Sequence, residues 1–225
     1  MAETRAEGEI ILVIGDKAWS SWSLRPWLAA KVAGISFREV CITLRQSDTG
    51  EQIRRHSPSG KVPALRHGDL LIWESLAICE YLAEIAPQAG LWPDQRDARA
   101  VARAISAEMH AGFFSLRNEF PMDFHGRIDG VEPSDKATRD IRRVVSLWRE
   151  TRARFGAGGP FLFGRFTIAD AMYAPVATRF RTYSIDLARF GDDGTAAAYA
   201  AALLAMSEMS EWGADAAQPL GLQQA

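Results

Sequence analysis

The sequence is poor in the side chains that build metal centres and disulfide frameworks. Its 225 residues include two cysteines and four histidines. Cys41 and Cys79 lie inside apolar segments and belong to no CxxC pair, so we expect two buried thiols and neither a zinc site nor a dithiol redox centre. A reducing compartment also disfavours a disulfide between them.

Long apolar runs and an excess of charge of one sign are missing as well. The apolar run IILVIG begins at Ile10 and is too short for the core of a signal peptide, and no stretch is long enough to span a bilayer. The formal net charge is −2, with Lys and Arg scattered along the chain. We therefore expect neither nucleic acid nor a membrane as a partner, and we expect a cytosolic protein.

Strand and helix patterns alternate in the first half of the chain. Short β-branched or alternating runs predict strands, and Gly34 and Pro87 stand where helices should end. The turn HGD between VPAL and LLIW indicates a hairpin. The predicted order is a strand at 9–16, a helix up to Gly34, a strand at 35–44, a polar crossover at 45–60, the hairpin, and a helix from Ser75 to Pro87.

Three serines cluster where the first strand passes to the first helix, in the stretch AWSSWSLRPW. Pro26 is tolerated best in the first turn of a helix, so this helix should begin near Ser21 or Ser23. Serine often caps a helix start, and the same helix end attracts anions. The serines therefore either cap the helix, or one of them is directed at a ligand.

The second half contains only helix patterns. Periodic segments follow one another after a Gly- and Pro-containing linker, with apolar residues at helical spacing. They lie at 97–120, 134–156, 167–183 and 195–212. We expect a small α/β domain at 8–87, a linker at 88–97 and an all-helical domain at 98–225.

The segment SPSGKVPALRHGDLLIWESLAICEYLAE carries a family pattern: a loop enters a strand through Val62-Pro63, and Glu74-Ser75 opens a helix. Together with TIAD at 167–170, it resembles the signature of cytosolic glutathione transferases, and the resemblance extends over essentially the whole chain. It implies a thioredoxin-like α/β domain followed by an all-α domain. It also implies glutathione as co-substrate, no metal, a small-molecule electrophile as second substrate, and a homodimer.

The resemblance implies glutathione contacts residue by residue. Val62, before a candidate cis bond to Pro63, would pair its backbone with the cysteinyl unit. Ser75 would hold the γ-glutamyl carboxylate at a helix N-terminus, besides capping that helix, and Glu74 would hold the ammonium. The candidates for the glycine end, each of which is otherwise a solvated loop residue, are Gln46, His56 and Lys61.

In this family the thiol-activating Tyr, Ser or Cys lies at the end of the first strand. The stretch WSSWSLRPW is similar to that of the serine-type zeta class, with Trp22 where that class has cysteine. Ser20 is the best match to the catalytic serine and Ser21 is the next, while we expect Ser23 to cap the helix. A hydroxyl that donates to the sulfur favours the thiolate. The missing cysteine argues against members that form a mixed disulfide with glutathione.

The helical half supplies a structural motif and a candidate substrate wall. Thr167 and Asp170 match a capping box, so we expect Asp170 to be structural. The wall of the electrophile pocket should come from the long helix after the linker. Met109, His110, Phe113 and Arg117 are the candidates, although such a stripe is also typical of a core.

Two classes of function fit the resemblance. The first is an enzyme: a glutathione transferase that adds the thiol to a soft electrophile or, as the alternative, a glutathione-dependent cis–trans isomerase like the zeta class. The second is a non-catalytic binding module, because fold does not fix function. The presence of Ser20, Val62-Pro63 and Glu74-Ser75 in one chain argues against the module.

Overall fold

The computed structural model describes residues 8–217. Residues 1–7, where the sequence predicts no signal peptide, and 218–225, the end of the predicted helical domain, lie outside the described part. The first half forms one mixed four-stranded sheet in the order β2-β1-β3-β4, with β1 parallel to β2 and antiparallel to β3. Its strands are β1 (Ile10–Gly15), β2 (Arg38–Ile42), β3 (Ala64–His67) and β4 (Leu70–Trp73).

Three helices cover this sheet: α1 (Ser21–Val32), α2 (Thr49–Arg54) and α3 (Ser75–Ile85). The central strand β1 is buried on both faces because its side chains alternate between two cores. Leu12 and Ile14 join the large core that contains residues of α1 and α3. Val13 joins a smaller cluster with Ile53 of α2. The order β-α-β, then β-β-α, is the one that the sequence predicts.

The second half is helical within the described residues. Its helices are α4 (Arg96–Ala111), α5 (Phe114–Glu119), α6 (Asp135–Phe155), α7 (Ile168–Thr182), α8 (Thr195–Leu204) and α9 (Ser207–Ala216). Helix α7 is the centre: it packs against α1, α4 and α8 and is buried along nearly its whole length. The predicted architecture, an α/β half followed by a helical half, is confirmed.

The structure corrects the prediction in four places. The pattern at 195–212 is two helices, α8 and α9, with a break at Ala205 and Met206. The polar crossover contains α2, which the sequence analysis missed. The pattern at 97–120 is two helices, because Gly112 is extended and Phe113 has φ of 58°. A Cβ at Gly112 would lie 2.8 Å from the Glu108 carbonyl oxygen. Pro26 lies in the second turn of α1 instead of the first, since that helix begins at Ser21.

Both cysteines are free thiols, Cys79 fully buried and Cys41 half-buried. Burial raises the pKa of both thiols to about 12. Neither is therefore a nucleophile near neutral pH. Over residues 8–217, no helix is both long and apolar enough to cross a membrane, and no group of three or more His, Cys, Asp or Glu side chains could hold a metal ion.

Candidate active site

A groove of about 330 Å³ lies between the sheet-bearing half and the helical half. Most of its wall comes from the first half, and two basic side chains come from α4 and α5. The lining residues are Trp22, Ser59, Lys61, Val62, Pro63, Glu74, Ser75, His110 and Arg117. The groove therefore brings together seven residues that the sequence had already marked as site candidates, and it adds Trp22 and Ser59.

The loop that enters β3 forms one wall of the groove. The Val62–Pro63 peptide bond is cis, as the sequence suggests. The Lys61 side chain is exposed, and its backbone N–H donates to Ser59 Oγ at 3.3 Å. Ser59 in turn lies 2.9 Å from the hydroxyl of buried Ser57. This wall therefore offers a ligand the exposed ammonium of Lys61, which forms no ion pair with a carboxylate of residues 8–217.

The start of α3 forms the facing wall. Glu74 precedes the helix in a left-handed conformation with φ of 70°, and a non-glycine residue held there costs on the order of 1–3 kcal/mol. The Ser75 hydroxyl is buried and has no hydrogen-bond partner among the described residues. Helix α3 begins at Ser75, so this serine is the first residue of the helix and not its cap. A buried polar group of this kind calls for a polar partner.

The Glu74 carboxylate meets the helical half across the groove. Glu74 Oε2 lies 3.4 Å from His110 Nε2 on α4. The imidazole also packs edge-on against Trp22, with ring centroids 5.4 Å apart. Burial lowers the pKa of His110, with contributions from Arg25 and Arg117, while Glu74 opposes that shift. Uncharged His110 is accordingly the favoured form near neutral pH.

The three serines have different surroundings. Ser20 is the N-cap residue of α1, and its hydroxyl donates to Ser23 Oγ at 2.7 Å. Ser23 also accepts from the Gly15 N–H at 3.1 Å. The capping role expected of Ser23 is wrong: it lies inside the first turn and ties that turn to the end of β1.

Ser21 faces the helical half. Its hydroxyl oxygen accepts from Arg179 Nη2 on α7 at 3.2 Å, which leaves the Ser21 proton free for another acceptor. Ser20 and Ser21 are both more than nine-tenths buried. The residue of this stretch that lines the groove is the next one, Trp22.

Three arginines surround this region. The guanidinium carbons of Arg25 and Arg117 lie 3.9 and 4.9 Å from the Trp22 ring centroid. Arg25 is fully buried, and its Nη atoms lack hydrogen-bond partners in the described chain. Burial and the other two arginines lower the pKa of Arg25, and burial above all brings that of Arg179 to about 10.

Within residues 8–217, none of these three guanidinium groups forms an ion pair with a carboxylate. Buried charges in proteins are ordinarily paired. The cluster therefore gives the region around Trp22 a positive potential that suits an anion. Arg25 and Arg179 have no local sequence signal, since only the packing of α7 on α1 brings them together.

The loop that carries Ser20 is fixed by backbone hydrogen bonds from several directions. The Asp16 carboxylate accepts from the Leu44 N–H at 2.6 Å, and its carbonyl accepts from the Ser20 N–H at 2.8 Å. The Ala18 carbonyl accepts from the Phe124 N–H of the helical half at 3.0 Å. The serine loop is therefore held by both halves of the chain.

Helix α9 adds a further clamp on this loop through Lys17. The buried ammonium lies 2.7 Å from Glu39 Oε2 and 2.6 Å from Asp215 Oδ2. It also lies over the rings of Trp27 and Trp212, at 5.0 and 5.3 Å from their centroids. The Trp212 indole N–H donates to the Lys17 carbonyl at 2.7 Å. Helix α9 thus contacts the backbone three residues before Ser20.

Besides Ser20 and Ser21, four of the candidate residues do not line the groove. Met109 is fully buried in the core, and Phe113 is buried at the break between α4 and α5. Gln46 is exposed in the turn before α2, where its N–H donates to Thr49 Oγ1. His56 follows α2 and is also absent from the lining.

Comparison with protein-family models gives two matches. Residues 19–85 match the model described as glutathione S-transferase, N-terminal domain, and residues 129–203 match the model of the C-terminal domain. Together the two matches span more than half of the chain.

Two similar curated proteins carry the name maleylacetoacetate isomerase. The rat protein is 28% identical over 188 residues, which cover 81% of this chain and 83% of that protein. A probable maleylacetoacetate isomerase of Caenorhabditis elegans is 35% identical over 174 residues, covering 76% of this chain and 78% of that one.

Solved structures share the fold. A glutathione transferase homologue from Burkholderia with bound glutathione has a TM-score of 0.68 at 21% identity, covering 92% of this chain and 97% of that one. The Tau class glutathione S-transferase from mango has a TM-score of 0.70 at 17% identity, covering 96% of each chain.

Proposed function

The chain belongs to the glutathione S-transferase family, and from that premise we propose that it binds glutathione in the groove, ionises the thiol and adds the sulfur to a small-molecule electrophile. The observation that carries this proposal is the buried Ser75 hydroxyl, which has no partner among the described residues and lies beside the Glu74 carboxylate. A zwitterionic γ-glutamyl group matches that pair, because its carboxylate accepts from the hydroxyl and its ammonium meets the acid.

The rest of the tripeptide follows the same groove. The Val62 backbone, beside Pro63, would pair with the cysteinyl unit, and the Lys61 ammonium would attract the glycine carboxylate. Gln46 and His56 do not line the groove, so they would contact the glycine end of glutathione after a movement of their loop toward it. With its γ-glutamyl and glycine ends bound in this way, glutathione would direct its sulfur toward Trp22 and the N-terminus of α1. The N-terminus of a helix favours an anion.

Ionisation of the thiol would draw on three effects. The hydroxyl of Ser21, or that of Ser20 once it turns away from Ser23, donates to the sulfur, α1 contributes its N-terminal partial charge, and the arginines around Trp22 add positive potential. A shift of one to two pKa units, about 1.4–2.7 kcal/mol, makes the thiolate available near neutral pH. Holding both substrates in one groove then supplies proximity for the addition.

Calorimetric titration with glutathione tests the binding step. We expect Glu74→Gln, which keeps the size and removes the charge, to weaken binding by roughly tenfold or more. Glu84→Gln is the matched control, because Glu84 is exposed on the same helix and does not line the groove. Equal affinities for these two variants and the unmodified protein would contradict the proposed site.

A second candidate reaction is glutathione-dependent cis–trans isomerisation of a diacid. The observation that favours it is the arginine cluster, whose Arg117 lines the groove while Arg25 and Arg179 lie buried behind it without an ion pair to a carboxylate of residues 8–217. A substrate carboxylate would pair with Arg117, and the two buried arginines would add to the positive potential there. Isomerisation of a maleyl-type diacid without loss of glutathione supports this reaction, and consumption of glutathione supports conjugation.

We also propose a homodimer in the cytosol, as the family resemblance implies. The mass of one chain is 24.8 kDa. Light scattering should return twice that mass, and a value near the monomer mass would contradict the dimer.

A further inference from the structure

His110 and Glu74 approach each other from opposite walls of the groove. Glu74 precedes α3 in the sheet-bearing half, and His110 lies on α4 of the helical half. Their closest atoms, Oε2 and Nε2, are 3.4 Å apart. Both side chains retain some exposure to the groove, 50% for Glu74 and 28% for His110. A ligand group that binds Glu74 must therefore share the carboxylate with the imidazole.

Among the described residues, the charges that act on His110 besides Glu74 are positive. Arg25 on α1 and Arg117 on α5 act on the imidazole, and Lys61 lines the same groove from the loop before β3. His110 Nδ1 is buried without a hydrogen-bond partner in the described chain. Glu74 is thus the acid that offsets these cations at the imidazole, and also the acid proposed to bind the ammonium of glutathione.

Resting on the proposed glutathione site, we propose that His110 is a positioning residue of the ammonium subsite, which sets through Glu74 how strongly the groove holds the γ-glutamyl ammonium. When His110 is neutral, the Glu74 charge is available to the ligand. When His110 is protonated, the imidazolium takes part of that charge and repels the incoming ammonium. The two cations compete for one carboxylate.

This competition fixes the sign of a pH effect. The bound ammonium disfavours protonation of His110, so the pKa of His110 is lower in the complex than in the free protein. Binding therefore releases a proton where free His110 is charged, and the affinity falls as the pH drops through the pKa of free His110. That pKa lies below the ordinary value of 6.5. Above it, the affinity is constant.

Calorimetric titration with S-methylglutathione between pH 5.5 and 8 tests the proposal. This thioether has no ionisable thiol, so activation by the serines does not enter the measurement. We expect the affinity at pH 5.5 to be weaker than at pH 7.5 by up to about fivefold, because the pKa of free His110 lies below 6.5 and the coupling is about one pKa unit. The affinity of His110→Gln for S-methylglutathione should be independent of pH. His67→Gln, which alters a histidine bonded to Tyr81 outside the groove, should keep the original profile.

A second ligand tests the same competition in the unmodified protein, without any substitution at His110. S-methylglutathione without its amino group has no ammonium, so it should bind the unmodified protein with no dependence on pH. A flat profile for S-methylglutathione in the unmodified protein, or the same slope in His110→Gln, would overturn the role of His110. Failure of S-methylglutathione to bind at any pH would overturn the proposed glutathione site itself, and this inference with it.

Discussion

Ser75 is the residue whose surroundings point most clearly to a ligand. Its hydroxyl is buried without a partner in the described chain, so the free protein bears its desolvation cost. We expect Ser75→Ala to weaken glutathione binding by about 1–2 kcal/mol while leaving the free energy of unfolding of the free protein unchanged or slightly higher. Calorimetry and urea denaturation measure the two quantities. Parallel losses of stability and affinity would instead mean a structural role.

Single residues differ in how far the sequence reveals them. Val62, Pro63, Glu74 and Ser75 stand in short local motifs at a strand entry and a helix start, so the sequence predicts them. The approach of His110 to Glu74 joins residues 36 positions apart in the printed sequence. That contact depends on how α4 packs on the sheet-bearing half, and a local pattern does not contain this information.

Helix α7 depends on Asp170 at its N-terminus. The sequence predicts the capping box, and Thr167 and Asp170 form one. The buried carboxylate also accepts from the Leu162 N–H at 3.0 Å and from the Tyr199 hydroxyl at 3.0 Å. We expect Asp170→Ala to lower the free energy of unfolding by at least about 2 kcal/mol, because several buried donors lose their acceptor. An unchanged urea midpoint would contradict the structural assignment.

Helix α9 stabilises the serine loop through Trp212. Trp212→Phe keeps an aromatic ring but removes the N–H that donates to the Lys17 carbonyl. We expect a loss of about 1–3 kcal/mol in the free energy of unfolding, since a buried carbonyl is left unpaired. Trp73→Phe is the control, because Trp73 is 44% exposed and should change stability by less than about 0.5 kcal/mol. Equal urea midpoints for the two variants would contradict a stabilising role of the hydrogen bond between Trp212 and Lys17.

Elements with strong local signals are the ones that the sequence predicts. Helices α6 and α7 have long periodic patterns with capping residues, and the β3–β4 hairpin has its turn HGD. Helix α2 has only six residues, which is too short for its apolar residues to show a helical period. The break at Gly112 was missed because the apolar spacing continues through it, and only the close approach to the Glu108 carbonyl shows why glycine stands there.

At the scale of the whole molecule, the site exists only because two halves pack together. The first half supplies the groove residues from Trp22 to Ser75, and the second supplies His110 and Arg117. The contact between Ser21 and Arg179 spans 158 residues of sequence. Motifs therefore predicted the family and the residues of the wall that we propose for glutathione, whereas the positive potential around Trp22 depends on the packing of α7 on α1.

The central claim is that this chain ionises the thiol of bound glutathione. Spectroscopic titration of the enzyme-bound thiolate, in the unmodified protein and in Ser20→Ala and Ser21→Ala, measures it most directly. We expect the pKa of the bound thiol to lie one to two units below about 8.5, and to return toward that value in one of the two variants. If glutathione binds and its thiol pKa remains near about 8.5, the claim is wrong and the protein is a non-catalytic binding module.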